Sequence, residues 1–579
     1  MGITSFRSKA VGYGITLLLV IAVLHPFLWI IVSTFKTEQE LIRYPPSFFP
    51  DAPTVMQYVS VWTRIPLLDF FRNTVIFAGG VAVLSVFFSR DFTVGPVSDR
   101  MFGSFVEHMG SVVYNGIYEP DHPTADADGF RRDVLELVRE LNLSVIRYPG
   151  GNFTSSYRWE DGVGPKELRP VRPDPAWRQI ETNQFGLNEF MKWVRLVGAE
   201  PILTVNLGTR GIDAARDLLE YCNFAGGTYW SDMRKSHGVP EPYRVRTWCL
   251  GNELDGEWQV ARKTAAQYGQ LALETAKVMK WLDPDIEVVA VGSSSRQIPT
   301  FPEWDRIVLE HVYEWADYLS IHHYIGKREN DTPTYLAMPL EMERHIEEAL
   351  AACDYVKGLL RSNKVMYLSF DEWNVWREPD VPYTPWQTGS PYDWVRFRME
   401  DVLVFGSAML TLLRRADRIR IACQSLLVNT IPLILTEKGG KAWRNPTFYP
   451  FLHVSRYGRG IVLRGLVDSP RYDTKKYTDV PVVDPAAVWN PEAGELSVFA
   501  VNRGEEPVVL ALDLRDFPQL SFLEHRVVKH ERLDAFNTAE RPDEIAPRRG
   551  AGARVDGGRA EAVLDPYSWN VLRFRTKRE

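Results

Sequence analysis

Eight short runs rich in β-branched and aromatic residues, each followed by a helical stretch, occupy the chain from residue 102 to residue 429. In order they are FGSFVEHMG (102–110), LSVIRYPGGN (143–152), EPILTVNLG (200–208), VRTWCLGNE (245–253), IEVVAVGSS (286–294), ADYLSIHHY (316–324), KVMYLSFDEWN (364–374) and RIRIACQSLLVN (418–429). Between them apolar residues recur at helical spacing: Phe130, Val134, Leu137, Val138 and Leu141 share one face, and a helix is expected over Trp258 to Leu282 from Ala265, Leu271, Leu273, Val278 and Trp281. Eight strands alternating with helices predict a (β/α)8 TIM barrel. A doubly wound sheet is the rival, but no glycine-rich phosphate fingerprint follows the first strand. From about Leu452 the helical period gives way to ELSVFAVNR (495–503), PVVLALDL (507–514) and SWNVLRFR (568–575), separated by Pro, Gly and Asp turns. That texture predicts an all-β sandwich. The expected division is a catalytic barrel over 90–451 and a sandwich over 452–579.

The first ninety residues read differently. Val11 to Phe35 is a 25-residue apolar run whose only side chain ionisable near neutrality is His25, long enough to span a bilayer. Arg7 and Lys9 before it place the N-terminus in the cytoplasm. A secretory signal is the competing reading, and the run ends at Ser33-Thr34-Phe35-Lys36, a poor cleavage site. A second apolar stretch over 72–89, TVIFAGGVAVLSVFFS from Thr74, is expected either as a second crossing or as a buried hairpin or interfacial segment. Met1 to Ser89 resembles the start of a sugar ABC transporter permease subunit, through the first span, YPPSFFPDAPTVMQYVSVW (44–62) and FFRNTVIFAGGVAVLSV (70–86). Two crossings would leave a membrane-tethered barrel facing the cytoplasm, and removal or non-translation of the segment would leave a cytoplasmic protein.

Composition narrows the partners. The net charge of −7 makes nucleic acid an unexpected one. The 18 Trp, 24 Tyr and 29 Phe supply far too much apolar surface for a solvated coil. Cys222, Cys249, Cys353 and Cys423 have no metal-ligand spacing and read as buried thiols.

In a barrel the chemistry sits where strands end. There the sequence places Glu107, Asn152, Asn252 with Glu253, His322 with Tyr324, and Asp371 with Glu372. Taken singly, each has a plain structural reading: a turn, or an exposed strand end. His322-His323 fits a metal site poorly, because neighbouring strand residues point to opposite faces. At equivalent positions of one architecture, carboxylates from strands four and seven face each other across the mouth, where one can protonate a leaving oxygen while the other attacks an anomeric carbon. Asn252 can bond a sugar hydroxyl. Trp248, Trp373 and Trp376 offer stacking surface for a sugar ring or fill the core.

Residues from about Asp91 to Arg575 resemble the α-L-arabinofuranosidases of glycoside hydrolase family 51, through FGSFVEHMG, RYPGGN, WCLGNE, SIHHY, SFDEWNVW, TEKGGKAWRNPTFYPF (436–451) and SRYGRG (455–460). The resemblance implies a retaining, exo-acting hydrolase of terminal arabinofuranosyl groups on arabinan or arabinoxylan oligosaccharides. It implies Glu253 as general acid/base and Glu372 as nucleophile. Glu107, Asn152, Asn252 and Tyr324 would line the sugar subsite with His322 beside them. No metal or organic cofactor is implied. The family also implies a homo-oligomer, which an N-terminal fusion would disturb. Two departures stand out. Leu426 replaces the family's sugar-contacting Gln before Leu427-Val428-Asn429, with Gln424 nearby. Permease-like sequence replaces the family's opening strand, so the sandwich is expected to lack part of an edge strand. The alternatives are a related barrel hydrolase cutting within β-glycans, and a permease subunit carrying a sugar-binding domain.

Overall fold

The computed structural model describes residues 29, 31–56, 82–327 and 329–577. The chain divides into two units, Met1–Val81 and Ala82–Glu579. In the described part of the first, a one-turn helix, Glu38–Leu41, is capped by Thr37, whose backbone N–H donates to the Glu40 carboxylate at 3.0 Å. The expected first span lies mostly outside the described residues. Among the described residues no helix is long and apolar enough to cross a membrane.

The second unit holds the closed barrel. Its strands are β1 (Gly103–Phe105), β2 (Val145–Tyr148), β3 (Glu200–Thr204), β4 (Thr247–Cys249), β5 (Glu287–Val291), β6 (Tyr318–Gly326), β7 (Tyr367–Trp376) and β8 (Ile419–Gln424), each hydrogen-bonded to the next in order, with β8 closing on β1. Every described pair is parallel. Helices therefore cover the outside while side chains fill the inside, and the strands are buried almost throughout. Each predicted run thus falls on one barrel strand, with β6 and β7 each continuing two residues past its run. The helix expected from Trp258 begins instead at Ala265, because Thr264 and Gln267 form a reciprocal cap that sets the first turn. Its buried face is Tyr268, Ala272, Ala276 and Met279, and Trp281 is exposed.

The last barrel helix, Phe448–Tyr457, runs across residue 452 and leads into two sheets. One sheet orders Thr93–Pro96, Ile461–Leu463, Val483–Asn490, Glu495–Asn502, Ser568–Arg575, Ser521–Val528 and Arg548–Arg549; the other orders Leu466–Asp468, Ala82–Phe87, Val508–Asp513, Arg559–Leu564 and Ala553–Asp556. Between them lie Leu84, Val86, Val498, Leu510, Leu512 and Leu572, among others. Trp569 crosses to the barrel, donating its indole N–H to His453 Nδ1 at 3.0 Å against the fully buried helix Met399–Leu413.

This arrangement corrects the reading of the second apolar stretch. Ala82–Phe87 is a strand, antiparallel to Leu466–Asp468 and parallel to Val508–Asp513. Leu84 and Val86 point into the core while Ser85 is exposed, the period of two of a sheet. A short apolar run without helical period serves a strand as readily as part of a span. The strand is internal to its sheet, so the position expected to be deficient is filled. Residues 72–81 lie outside the described set.

Candidate active site

The strand ends converge on a small cup. After β4 the chain turns through Gly251 at φ +97 and Glu253 at φ +44. Glycine takes the left-handed region freely; for Glu253 it is a strained position of the kind found at functional sites. In β6 the register slips between Ser320 and His322, after which His322 stands opposite Glu372 of β7. After β2, Gly150 and Gly151 let the backbone form the cup floor. A Cβ on Gly151 would lie 3.0 Å from Glu372 Oε1, 3.2 Å from Asn252 Nδ2 and 3.3 Å from Glu107 Oε2, so those three side chains meet over a position where any side chain would crowd them.

Glu253 and Glu372 are 7% and 5% exposed. Together with His322 they present one ligand atom each, all within 4.8 Å of one another. His322 Nδ1 lies 2.9 Å from Glu253 Oε1 and 3.5 Å from Glu372 Oε2. The Trp258 indole donates to Glu253 Oε2 at 2.6 Å. On the Glu372 side, the Tyr324 hydroxyl donates to Oε2 at 2.8 Å and Arg147 Nη1 donates to Oε1 at 2.6 Å. Arg147 also donates to Asn252 Oδ1 at 2.6 Å, and its Nε lies 3.3 Å from Asp371 Oδ2. Asn252 donates in turn to Asn152 Oδ1 at 3.1 Å. Glu107 Oε1 accepts from the Phe153 N–H at 2.9 Å and the Trp177 indole at 3.0 Å. The seven residues to which the resemblance gives a role are therefore in one cluster, with Asp371 beside them.

Four carboxyls face two cations, and the protonation equilibria reflect it. Burial pushes Glu107 up to about 8, the charge of Glu372 adds to that, and the Phe153 and Trp177 donors pull back. Burial opposes a charge on His322, but Glu372, Glu253 and Asp371 outweigh it and raise the imidazole to about 9. Burial and Glu253 raise Glu372, while His322 and Arg147 hold it down. Glu253, His322 and Glu372 have metal-ligand atom types. However, an imidazolium between two carboxylates and a guanidinium on Glu372 already supply the compensating charge, so the donor set fits a proton-transfer site better than a cation site.

Several participants escaped the sequence reading. Arg147 lay inside the RYPGGN motif, and Asp371, though placed at its strand end, was given no role. Trp258 was assigned to a helix, and Trp177 had no strand-end position. Conversely, Trp248 and Trp373 are core: both are buried, and Trp373 packs on Phe405 at 4.8 Å between centroids. Only Trp376, at the end of β7, is partly exposed. His323 turns away from the cup, its ring 5.6 Å from that of His345. Gln424 does not take over the contact missing at Leu426: its amide donates to the Leu426 carbonyl and accepts from Ser104 in the barrel wall. Ser425 is the β8 side that reaches the cup, 2.8 Å from the Tyr324 hydroxyl.

Comparison with known proteins agrees with this geometry. Residues 137–335 match the α-L-arabinofuranosidase 1 domain and residues 371–568 the α-L-arabinofuranosidase C-terminal domain. Neither match includes residues 1–89, and the permease resemblance gains no support. The intracellular exo-α-(1→5)-L-arabinofuranosidase 1 of Bacillus subtilis is 51% identical over 84% of this chain and 98% of its own length. An exo-α-(1→6)-L-arabinofuranosidase of Bifidobacterium longum is 43% identical over 84% and 96%. Among solved structures, a family 51 α-L-arabinofuranosidase of Bifidobacterium longum superimposes with a TM-score of 0.82 at 40% identity, covering 85% of this chain and 99% of that one. The Thermotoga maritima α-L-arabinofuranosidase in complex with arabinose gives 0.77 at 32%, covering 85% and 99%. The chain therefore belongs to the family 51 α-L-arabinofuranosidases.

Proposed function

We propose that the protein is an exo-acting, retaining α-L-arabinofuranosidase that removes terminal arabinofuranosyl residues from arabinan or arabinoxylan oligosaccharides. The observation that carries this reading is the pair Glu253 and Glu372, buried at the ends of β4 and β7 with an oxygen of each within 4.8 Å. Carboxyls in retaining enzymes stand roughly 5 to 5.5 Å apart, whereas inverting enzymes need about 6.5 to 9.5 Å to admit a water.

Glu253 delivers a proton to the glycosidic oxygen as Glu372 attacks the anomeric carbon. The carbon–oxygen bond breaks, the leaving chain departs with the proton, and a glycosyl ester on Glu372 remains. Glu253 then takes a proton from water, whose oxygen attacks the same carbon and frees Glu372. Arg147 and the Tyr324 hydroxyl aim the Glu372 oxygens, and His322 and Trp258 fix Glu253. Asn152, Asn252 and a protonated Glu107 supply hydrogen bonds to the ring hydroxyls. Two carboxyls suffice, so the reaction calls for no metal or organic cofactor.

The names of relatives, exo-α-(1→5) and exo-α-(1→6), support terminal rather than internal cleavage. The likeness to a glucanase-xylanase, at 11% identity and a TM-score of 0.52, shows the fold alone. Relatives named intracellular support a cytoplasmic barrel, whereas a single crossing by Val11 to Phe35 from a cytoplasmic N-terminus would place the barrel outside; fractionation of the full chain beside one lacking residues 1–81 tests for a tether.

The reaction is tested with p-nitrophenyl α-L-arabinofuranoside and proton NMR of the first-formed sugar, which is expected to keep the α configuration. An inverted product, or cleavage of linear xylan oligomers with the arabinofuranoside intact, would overturn the proposal. Glu253→Ala is expected to lower kcat/KM by about 10² to 10⁴ for poor leaving groups while largely sparing it for activated aryl ones, since only the former need the proton to form the ester, and to lower kcat for both because ester hydrolysis loses its base.

A further inference from the structure

The loop between β7 and the helix Met399–Leu413 carries an indole that the reaction does not use. Trp386 is 51% exposed. Its backbone lies at φ +61, a region bulky residues rarely adopt and one that clusters at ligand clamps. Three bonds fasten this loop to the segment that begins at Trp177, the partner of Glu107. The Trp386 N–H donates to the Arg178 carbonyl at 2.6 Å, the Tyr383 hydroxyl donates to the Trp177 carbonyl at 2.6 Å, and the Thr388 hydroxyl donates to the Ile180 carbonyl at 2.8 Å. Rings also run outward from the cup: Trp177 meets Tyr392 at 5.1 Å, and Tyr392 meets Tyr383 at 4.7 Å. An indole held open in a strained backbone, on a loop pinned beside the cup, offers a flat apolar face to the C–H side of a sugar ring.

We propose that Trp386 is the stacking platform of a distal leaving-group subsite, which takes a sugar ring beyond the one adjoining the scissile bond. The proposal rests on the arabinofuranosidase reading. It gives the enzyme a preference for oligosaccharides of three or more units over short aglycones, through a residue that touches neither carboxylate.

The test compares kcat/KM for a linear α-1,5-linked arabinofuranose tetrasaccharide with kcat/KM for the aryl arabinofuranoside, using the full chain. Trp386→Gly removes the ring and suits the left-handed backbone, so the fold is retained; Trp386→Phe keeps an aromatic face. Trp281→Ala is the control, an indole 68% exposed on the outer helix Ala265–Leu282. The tetrasaccharide-to-aryl ratio is expected to fall about tenfold in Trp386→Gly, mainly through KM, to recover in part in Trp386→Phe, and to stay at the wild-type value in Trp281→Ala. A ratio within about twofold of wild type in Trp386→Gly would overturn the proposal. Wild-type protein that leaves both substrates intact would overturn the arabinofuranosidase reading and this inference with it.

Discussion

The two ends of the barrel use the same residue types to opposite effect. At the N-terminal end, Glu200 and Glu287 open β3 and β5, and Arg100 bridges both, donating to Glu200 Oε1 at 2.6 Å, while Arg246 donates to Glu287 at 2.7 Å. Two acids meet two bases, partly in solvent. At the C-terminal end four acids, Glu107, Glu253, Asp371 and Glu372, share Arg147 and His322 in a nearly dry cup. Balanced pairs at the bottom tie strands together. The unbalanced cluster at the top keeps protons on groups that would otherwise lose them, which is what an acid-base site requires and a structural bridge does not.

Deleting the nucleophile is the hardest test of that contrast. Glu372→Ala is expected to lower kcat on the aryl arabinofuranoside by at least about 10⁴-fold, because no second group can form the ester; activity surviving within tenfold would break the assignment. Arginine replacements sharpen the comparison. Arg147→Met strands Glu372 and Asn252 without their donor, and urea denaturation is expected to show a loss of about 3 to 5 kcal/mol together with a collapse of kcat. Arg100→Met, at the half-solvated end, is expected to cost about 1 to 2 kcal/mol and to leave kcat within about twofold of wild type. Equal losses of kcat from both variants would mean that the two ends do not divide labour.

The gentlest test is pH. Glu107 is raised from 4.5 to about 8 and His322 from 6.5 to about 9. In both windows the folded chain binds more protons than the unfolded one, so these groups make stability fall as pH rises through about 4.5 to 9. Glu107→Gln is expected to flatten the lower part of that slope and His322→Gln the upper part, read from urea midpoints at stepped pH. A stability that climbs through the same range in wild type and is unchanged by either substitution would refute the protonation scheme.

The barrel was legible because its eight strands are short, β-rich and separated by helical spacing, and the carboxylates were legible because the architecture says where to look. The rest depended on partners distant in sequence. Arg147 is 225 residues from Glu372, and no local pattern distinguishes a guanidinium that bonds a nucleophile from one that faces solvent. Trp258 was absorbed into a helix because the Thr264–Gln267 cap that starts it was not read from the sequence. Ala82–Phe87 was read with a permease-like stretch because six residues, five of them apolar, do not announce their secondary structure; only pairing with Val508–Asp513 does.

That pairing bears on how the molecule is made. Ala82–Phe87 leaves the ribosome before any part of the barrel, yet both of its neighbours, Leu466–Asp468 and Val508–Asp513, are synthesised after all of it. Through most of translation an apolar strand with two open edges must wait while eight helix-strand units assemble behind it, the kind of exposed segment that chaperones hold and aggregation exploits. Strands made after the whole barrel pair with one made before it, so a chain cut short of Leu466 would leave Ala82–Phe87 with neither neighbour.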